Sequence, residues 1–211
     1  TLTESEGTWA LNGEKRWATL ATESEAVLVF ARTGEVDGRP QLRAALLPLS
    51  RAGITLASMP PTPFAPEIAH ARMTLENVRV ERSELLPGDA YDLYLKPFRT
   101  VEDAHVICAA LGHLIGAGIA HGFERPLLER LVALALAARA CATSDPTAAS
   151  VHVALGGVLG QLNDLEASLS AAFDRAGGDA NERWVRDRTL LSVASKARGA
   201  RLEKAWDRLR A

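Results

Sequence analysis

The spacing of the apolar residues changes once along the chain, near residue 90, and that change limits the folds open to it. Before it, short β-branched and apolar runs such as "AVLVFART" (26–33), "QLRAALLPLS" (41–50) and "ITLASM" (54–59) alternate with turn residues. Short runs with turn signals at this spacing predict a small β-barrel or sandwich. Asp37-Gly38 and Arg39-Pro40 mark turns, and "SMPPTPFAP" (58–66) reads as a loop, because proline cannot donate to a sheet ladder. A further strand pair is expected around "HARMTLENVRV" (70–80), and "LLPGDA" (85–90) closes the region.

After residue 90 the strand signals stop. Residues 98–122 read as one long helix, interrupted near Pro126, and 127–142 as a second, with Ser144 or Asp145 placed to cap a third over 147–176. Gly177-Gly178 ends the third, and a fourth starts near Asn181. Four helices joined by short loops pack most simply as an antiparallel bundle. The chain therefore reads as α+β: a β-domain over 1–90, then a four-helix bundle over 91–211.

Composition narrows the function. With 47% hydrophobic and 24% charged residues the 211-residue chain can bury a core. A formal net charge of -2 argues against nucleic acid as a partner. Two cysteines, Cys108 and Cys141, lie in apolar helical runs and read as reduced thiols of a cytoplasmic protein rather than a disulfide framework. The longest apolar run, 106–120, is shorter than a bilayer requires and reads as a buried helix, so no membrane span is expected.

Within the β-domain, "TWALNGEKRWAT" (8–19) reads as a hairpin turning at Asn12-Gly13, the pair that best tolerates positive φ. On its second arm Lys15, Trp17 and Thr19 would share a face, setting an indole and a hydroxyl about 6.5–7 Å apart. Taken alone, this hairpin is most simply read with Trp17 packed in a sheet core; an indole beside a hydroxyl also suits a flat heterocycle with a polar edge. His105 and Cys108 are three apart on a helix but lack further ligands, so no metal site is expected. "GGVLG" (156–160), like Gly112, Gly116 and Gly118, lies in helical sequence and reads as close helix packing, since no strand precedes it. The basic run 182–210 reads as a solvated helix face. His70 suggests no role.

The order of these pieces resembles the acyl-CoA dehydrogenase family. "LTES" (2–5) looks like the family's Leu-Thr-Glu-Pro segment, with Ser5 for proline. "LNGEKRWAT" (11–19) resembles its Leu-x-Gly-x-Lys-x-Trp-x-Thr segment, "LENVRV" (75–80) the strand leading out of its β-domain, and "AALG" (109–112) the start of its helical domain. The resemblance implies FAD as cofactor, with Thr3 and Thr19 hydrogen-bonding the flavin and Trp17 lying against it. It implies α,β-dehydrogenation of an acyl-CoA thioester, a place in fatty acid metabolism, electrons passed to a separate acceptor protein, and a homodimer or homotetramer.

In a minority of the family the catalytic base lies ten residues before the glycine of a Leu-Gly pair on the first long helix. Counting back from Gly112 reaches Glu102, on one helical face with Arg99 and His105; an Arg99–Glu102 surface ion pair is the competing account. The family's N-terminal helical domain, its Gly-Ser-Asp piece and the segment carrying its usual base have no counterpart in these residues. The chain therefore reads as part of a longer protein or as a truncated relative. A non-catalytic scaffold subunit, or a flavin oxidase or monooxygenase on the same scaffold, are the alternative functions.

Overall fold

The computed structural model describes residues 1–193 and 195–211. The chain divides between Lys96 and Pro97 into two units. In the first, strands β1 (Leu2–Ser5), β2 (Thr8–Thr19), β6 (His70–Val80) and β5 (Ile54–Ser58) form an antiparallel sheet in that spatial order. Strands β3 (Ala26–Val36) and β4 (Arg39–Pro48) form a second sheet. Alternation along each strand turns Leu2, Leu11, Met73, Leu75, Val78 and Val80 of one sheet toward Val29, Ala31, Ala45 and Leu47 of the other. The two sheets thus form a sandwich around one apolar core. The Asp37-Gly38 turn expected between β3 and β4 is present, with φ of 50° and 73°.

Two readings of the strands need correction. Asn12-Gly13 is not a hairpin turn: β2 runs unbroken from Thr8 to Thr19. The hairpin is formed one strand earlier, at Glu6-Gly7, where φ is 51° and 75° and β1 folds back onto β2. Asn12 instead sits where the β2–β6 register shifts, and its Oδ1 accepts the Asn77 N–H at 2.7 Å. Tertiary pairing with β6 outweighs the local turn preference. Residues 70–80, read as a strand pair, form the single strand β6, with a bulge at Asn77 (φ 48°) in place of a turn.

The bulges come as a pair. Between Leu11 and Gly13 the register loses one residue on β6, and between Lys15 and Ala18 it loses one on β2. The two shifts cancel, so Trp9↔Val80 and Thr19↔His70 belong to the same register. Each bulge flips the side-chain alternation of the strand that carries the extra residue, β6 at the first and β2 at the second.

In the second unit, α1 (Lys96–Ala120) and α2 (Arg125–Ala142) are the first two expected helices. The third divides at Leu165 into α3 (Ala149–Asp164) and α4 (Glu166–Ala176). The fourth begins earlier than expected as α5 (Gly178–Asp187), passes through a 3₁₀ turn (Arg188–Ser192) and ends as α6 (Ser195–Arg210). The α+β class, a β-domain followed by helices, stands. Asp145 does not cap α3: its Oδ1 accepts both the N–H (2.8 Å) and the hydroxyl (2.7 Å) of Thr147 in a turn before the helix. Ser144 closes α2 instead, donating to the Ala140 carbonyl.

The helical core joins Ala104, Ile107, Leu111 and Leu114 of α1 to Leu131, Leu134 and Ala138 of α2, Leu155 and Leu162 of α3, and Phe173 and Trp184 beyond. The helix over 91–120 is long and apolar enough by composition to cross a bilayer, yet its i, i+3, i+4 stripe is packed in this core. Gly156 permits close packing of α3 on α6, since a Cβ there would meet Leu202 at 2.9 Å. Cys108 and Cys141 are free thiols whose pKa values burial pushes up.

Candidate functional site

The β2 bulge decides which face Trp17 occupies. Lys15 stands opposite the buried Met73, and Ala18 opposite the buried Ala71, so both face the core. Thr19 pairs with His70, one residue on from Ala71, and therefore faces outward. The extra residue between Lys15 and Ala18 sends Lys15 and Thr19 to opposite faces, against the expectation that Lys15, Trp17 and Thr19 share one. Lys15 turns inward, and its ammonium donates to the Phe30 carbonyl of β3 at 2.6 Å. Burial at that end lowers the Lys15 pKa.

Trp17 is not a core residue; it is 57% exposed. An indole left on a strand face is held by its neighbours: the His70 ring meets it edge to face at 5.6 Å between centroids. His70 Nδ1 also lies 3.2 Å from Thr19 Oγ1. An aromatic plane and a hydroxyl thus stand together on the outer face of the four-stranded sheet, joined through one imidazole. Chemically this is a platform for a flat ring with polar edges, with the indole for stacking and the hydroxyl for a hydrogen bond. Both groups suit a flavin, which needs aromatic contact and a few placed polar partners.

Thr3 is not part of this cluster. It pairs with Ala10, nine positions from Thr19 along β2, which is about 30 Å of strand. The segment 2–5 is the first arm of the Glu6-Gly7 hairpin, and its register carries Thr3 away from Trp17. Sequence reasoning missed His70. The signal that could have found it is the pairing of β6 with β2, a long-range register invisible to local motifs.

On α1, Glu102 is solvent-exposed, and among the described residues it forms no ion pair with Arg99. The neighbouring carboxylate is the engaged one. Asp103 pairs with Arg201 and, at 3.7 Å, with Arg198, and its side chain is 13% exposed. Burial raises the Asp103 pKa against the opposing pull of Arg201, Arg198 and Arg99. These groups line a cleft of about 290 Å³ between α1, α3 and α6, together with Thr100, whose buried hydroxyl has no hydrogen-bond partner among the described residues. His105 Nδ1 lies 2.7 Å from the Val101 carbonyl one turn back, which accounts for its ring.

Residues 1–78 match the model of the acyl-CoA dehydrogenase middle domain. Over 90 residues the chain is 31% identical to the short-chain specific acyl-CoA dehydrogenase, mitochondrial, of Sus scrofa, covering 42% of this chain and 22% of that protein. It is 30% identical over 123 residues to the "probable acyl-CoA dehydrogenase YngJ" of Bacillus subtilis (strain 168), covering 56% of this chain and 32% of the relative. The fold of butyryl-CoA dehydrogenase from Megasphaera elsdenii superposes with a TM-score of 0.75 at 13% identity, over 97% of this chain and 62% of that one. The chain thus spans less than two thirds of each of these proteins. Residues 1–78 thus match the acyl-CoA dehydrogenase middle domain, and the β-sandwich followed by helices has the fold of a solved acyl-CoA dehydrogenase.

Proposed function

We propose that the chain carries the flavin-contacting and helical parts of an acyl-CoA dehydrogenase-like oxidoreductase that binds FAD and removes hydrogen across the α,β bond of an acyl-CoA thioester. The observation that carries this reading is the exposed Trp17 indole fixed beside the Thr19 hydroxyl, within the region that matches the family's middle domain. Trp17 offers the plane on which the flavin ring lies, and Thr19 offers a hydrogen bond to its polar edge. FAD, when bound, supplies the acceptor for the β-hydride.

Glu102 is proposed as the base. Its carboxylate takes the α-proton of the thioester, becoming a neutral carboxylic acid, while the electron pair left at Cα forms the new double bond. A carboxylate open to water is a weak base, and closure of a bound acyl chain over it would raise its proton affinity by desolvation. An electron-acceptor protein and assembly into a dimer or tetramer complete the reading by analogy with the family.

The test is the visible spectrum of the chain reconstituted with FAD, then titrated anaerobically with a panel of acyl-CoAs. Bleaching by a thioester in the wild type, slowed about 10²–10⁴-fold in Glu102→Gln, is expected. Flavin that no thioester bleaches but oxygen rapidly reoxidises would favour an oxidase or monooxygenase. A chain that takes up no FAD would favour a scaffold subunit.

A further inference from the structure

We propose that His70 is the positioning residue of this face, fixing the Trp17 indole and the Thr19 hydroxyl in one arrangement before a ligand arrives. The inference rests on the flavin reading above and adds a residue to it. An exposed tryptophan and a threonine on a strand are free to change rotamer, and a ligand that orders them loses binding energy in doing so. His70 removes that freedom for both. Its ring edge meets the indole at 90°, and its Nδ1 meets the hydroxyl at 3.2 Å. The imidazole is itself well held: it is half-buried, sits directly across from Thr19 in the ladder, and its carbonyl accepts the Met59 N–H at 2.9 Å.

The hydrogen bond has a second consequence. A threonine hydroxyl carries one proton and two lone pairs. When the imidazole proton is on Nε2, Thr19 donates to Nδ1 and presents only lone pairs to a ligand. When the proton is on Nδ1, the ring donates to Oγ1 and the Thr19 proton is free for an acceptor atom of the ligand. Oxidised and reduced flavins differ in whether their ring nitrogens accept or donate, so the state of His70 biases which form Thr19 favours. His70 thereby acts on the flavin's reduction potential through Thr19.

Three substitutions separate the two contacts. His70→Asn can return a polar atom near the Nδ1 position without the ring, His70→Phe keeps a ring against Trp17 without the hydrogen bond, and His70→Ala removes both. Each variant, checked for folding by circular dichroism, would be titrated with FAD and then reduced anaerobically against a reference dye to obtain the flavin midpoint potential. His70→Ala should weaken FAD binding by roughly fivefold, the equivalent of one net hydrogen bond, and shift the potential. His70→Phe should shift the potential with a smaller loss of affinity, and His70→Asn should restore the wild-type potential. FAD binding by all four proteins with equal affinity and equal potential overturns the inference alone. Failure of the wild type to take up FAD overturns the flavin reading and this inference together.

Discussion

Thr19 and His70 stand directly opposite each other across β2 and β6, although two register shifts lie between them and the start of the ladder. The shifts fall on opposite strands and cancel. Had only one been present, Thr19 would face a different residue of β6, and the Trp17 platform would lack its imidazole. The first shift is tied down by Asn12, whose Oδ1 receives the Asn77 N–H.

Replacing that amide should therefore cost stability. Asn12→Ala leaves the Asn77 N–H without its protein partner, and a loss of about 1 kcal/mol is expected. Urea unfolding should show a lower midpoint with an unchanged slope.

Gly53 should tolerate no side chain. Its φ is +89°, and a Cβ built there would lie 2.4 Å from the Glu76 carbonyl oxygen, a backbone atom that cannot rotate away. The Gly53 carbonyl also accepts the Glu76 N–H at 2.9 Å, tying the turn before β5 to β6. Gly53→Ala combines a strained backbone with a clash and should destabilise the protein by about 1–3 kcal/mol or more, read as a drop in the thermal midpoint.

In the helical unit, Asp103→Ala should be more damaging than Glu102→Ala. Removing Asp103 leaves Arg198 and Arg201 without their shared carboxylate in a largely buried setting, and breaking such a pair costs about 3–5 kcal/mol. Glu102 is exposed, so its removal should change stability by less than about 0.5 kcal/mol. Equal unfolding midpoints for the two variants would refute the contrast.

Glu84 should contribute a pH-dependent share of stability. Burial alone would raise its pKa, but hydrogen bonds from the Glu81 N–H and from Arg51, with the Arg51 charge, outweigh it and hold the carboxyl below its usual value of 4.5. A depressed acid stabilises the fold above its unfolded pKa, and that contribution disappears as pH falls through the folded value. Glu84→Gln should be less stable than the wild type at pH 7 by about 1 kcal/mol. The gap should narrow as pH falls below about 4.5; a gap that persists at pH 2 would contradict this.

Local features of the chain set its fold class. The change of period near residue 90, the Asp37-Gly38 turn, the proline-rich loop and the apolar stripe of α1 are local features, because each reflects burial of one face of one element. The Lys-x-Trp-x-Thr segment was legible for the same reason: its residues are adjacent in the chain. What local reasoning did not place depends on pairing between distant segments. Asn12-Gly13 has the chemistry of a turn, but the hydrogen bonds offered by β6 keep β2 extended through it. Thr3 lies near Trp17 in sequence, yet the Glu6-Gly7 hairpin reverses the chain and carries it to the far end of the strand. His70 lies 53 positions from Trp17 and acquires its place only when β6 pairs with β2, and Asp103 is distinguished from Glu102 only when α6 brings two arginines to it. Such contacts depend on register and packing, which are set by the burial of whole elements against one another, and so only the tertiary structure could decide them.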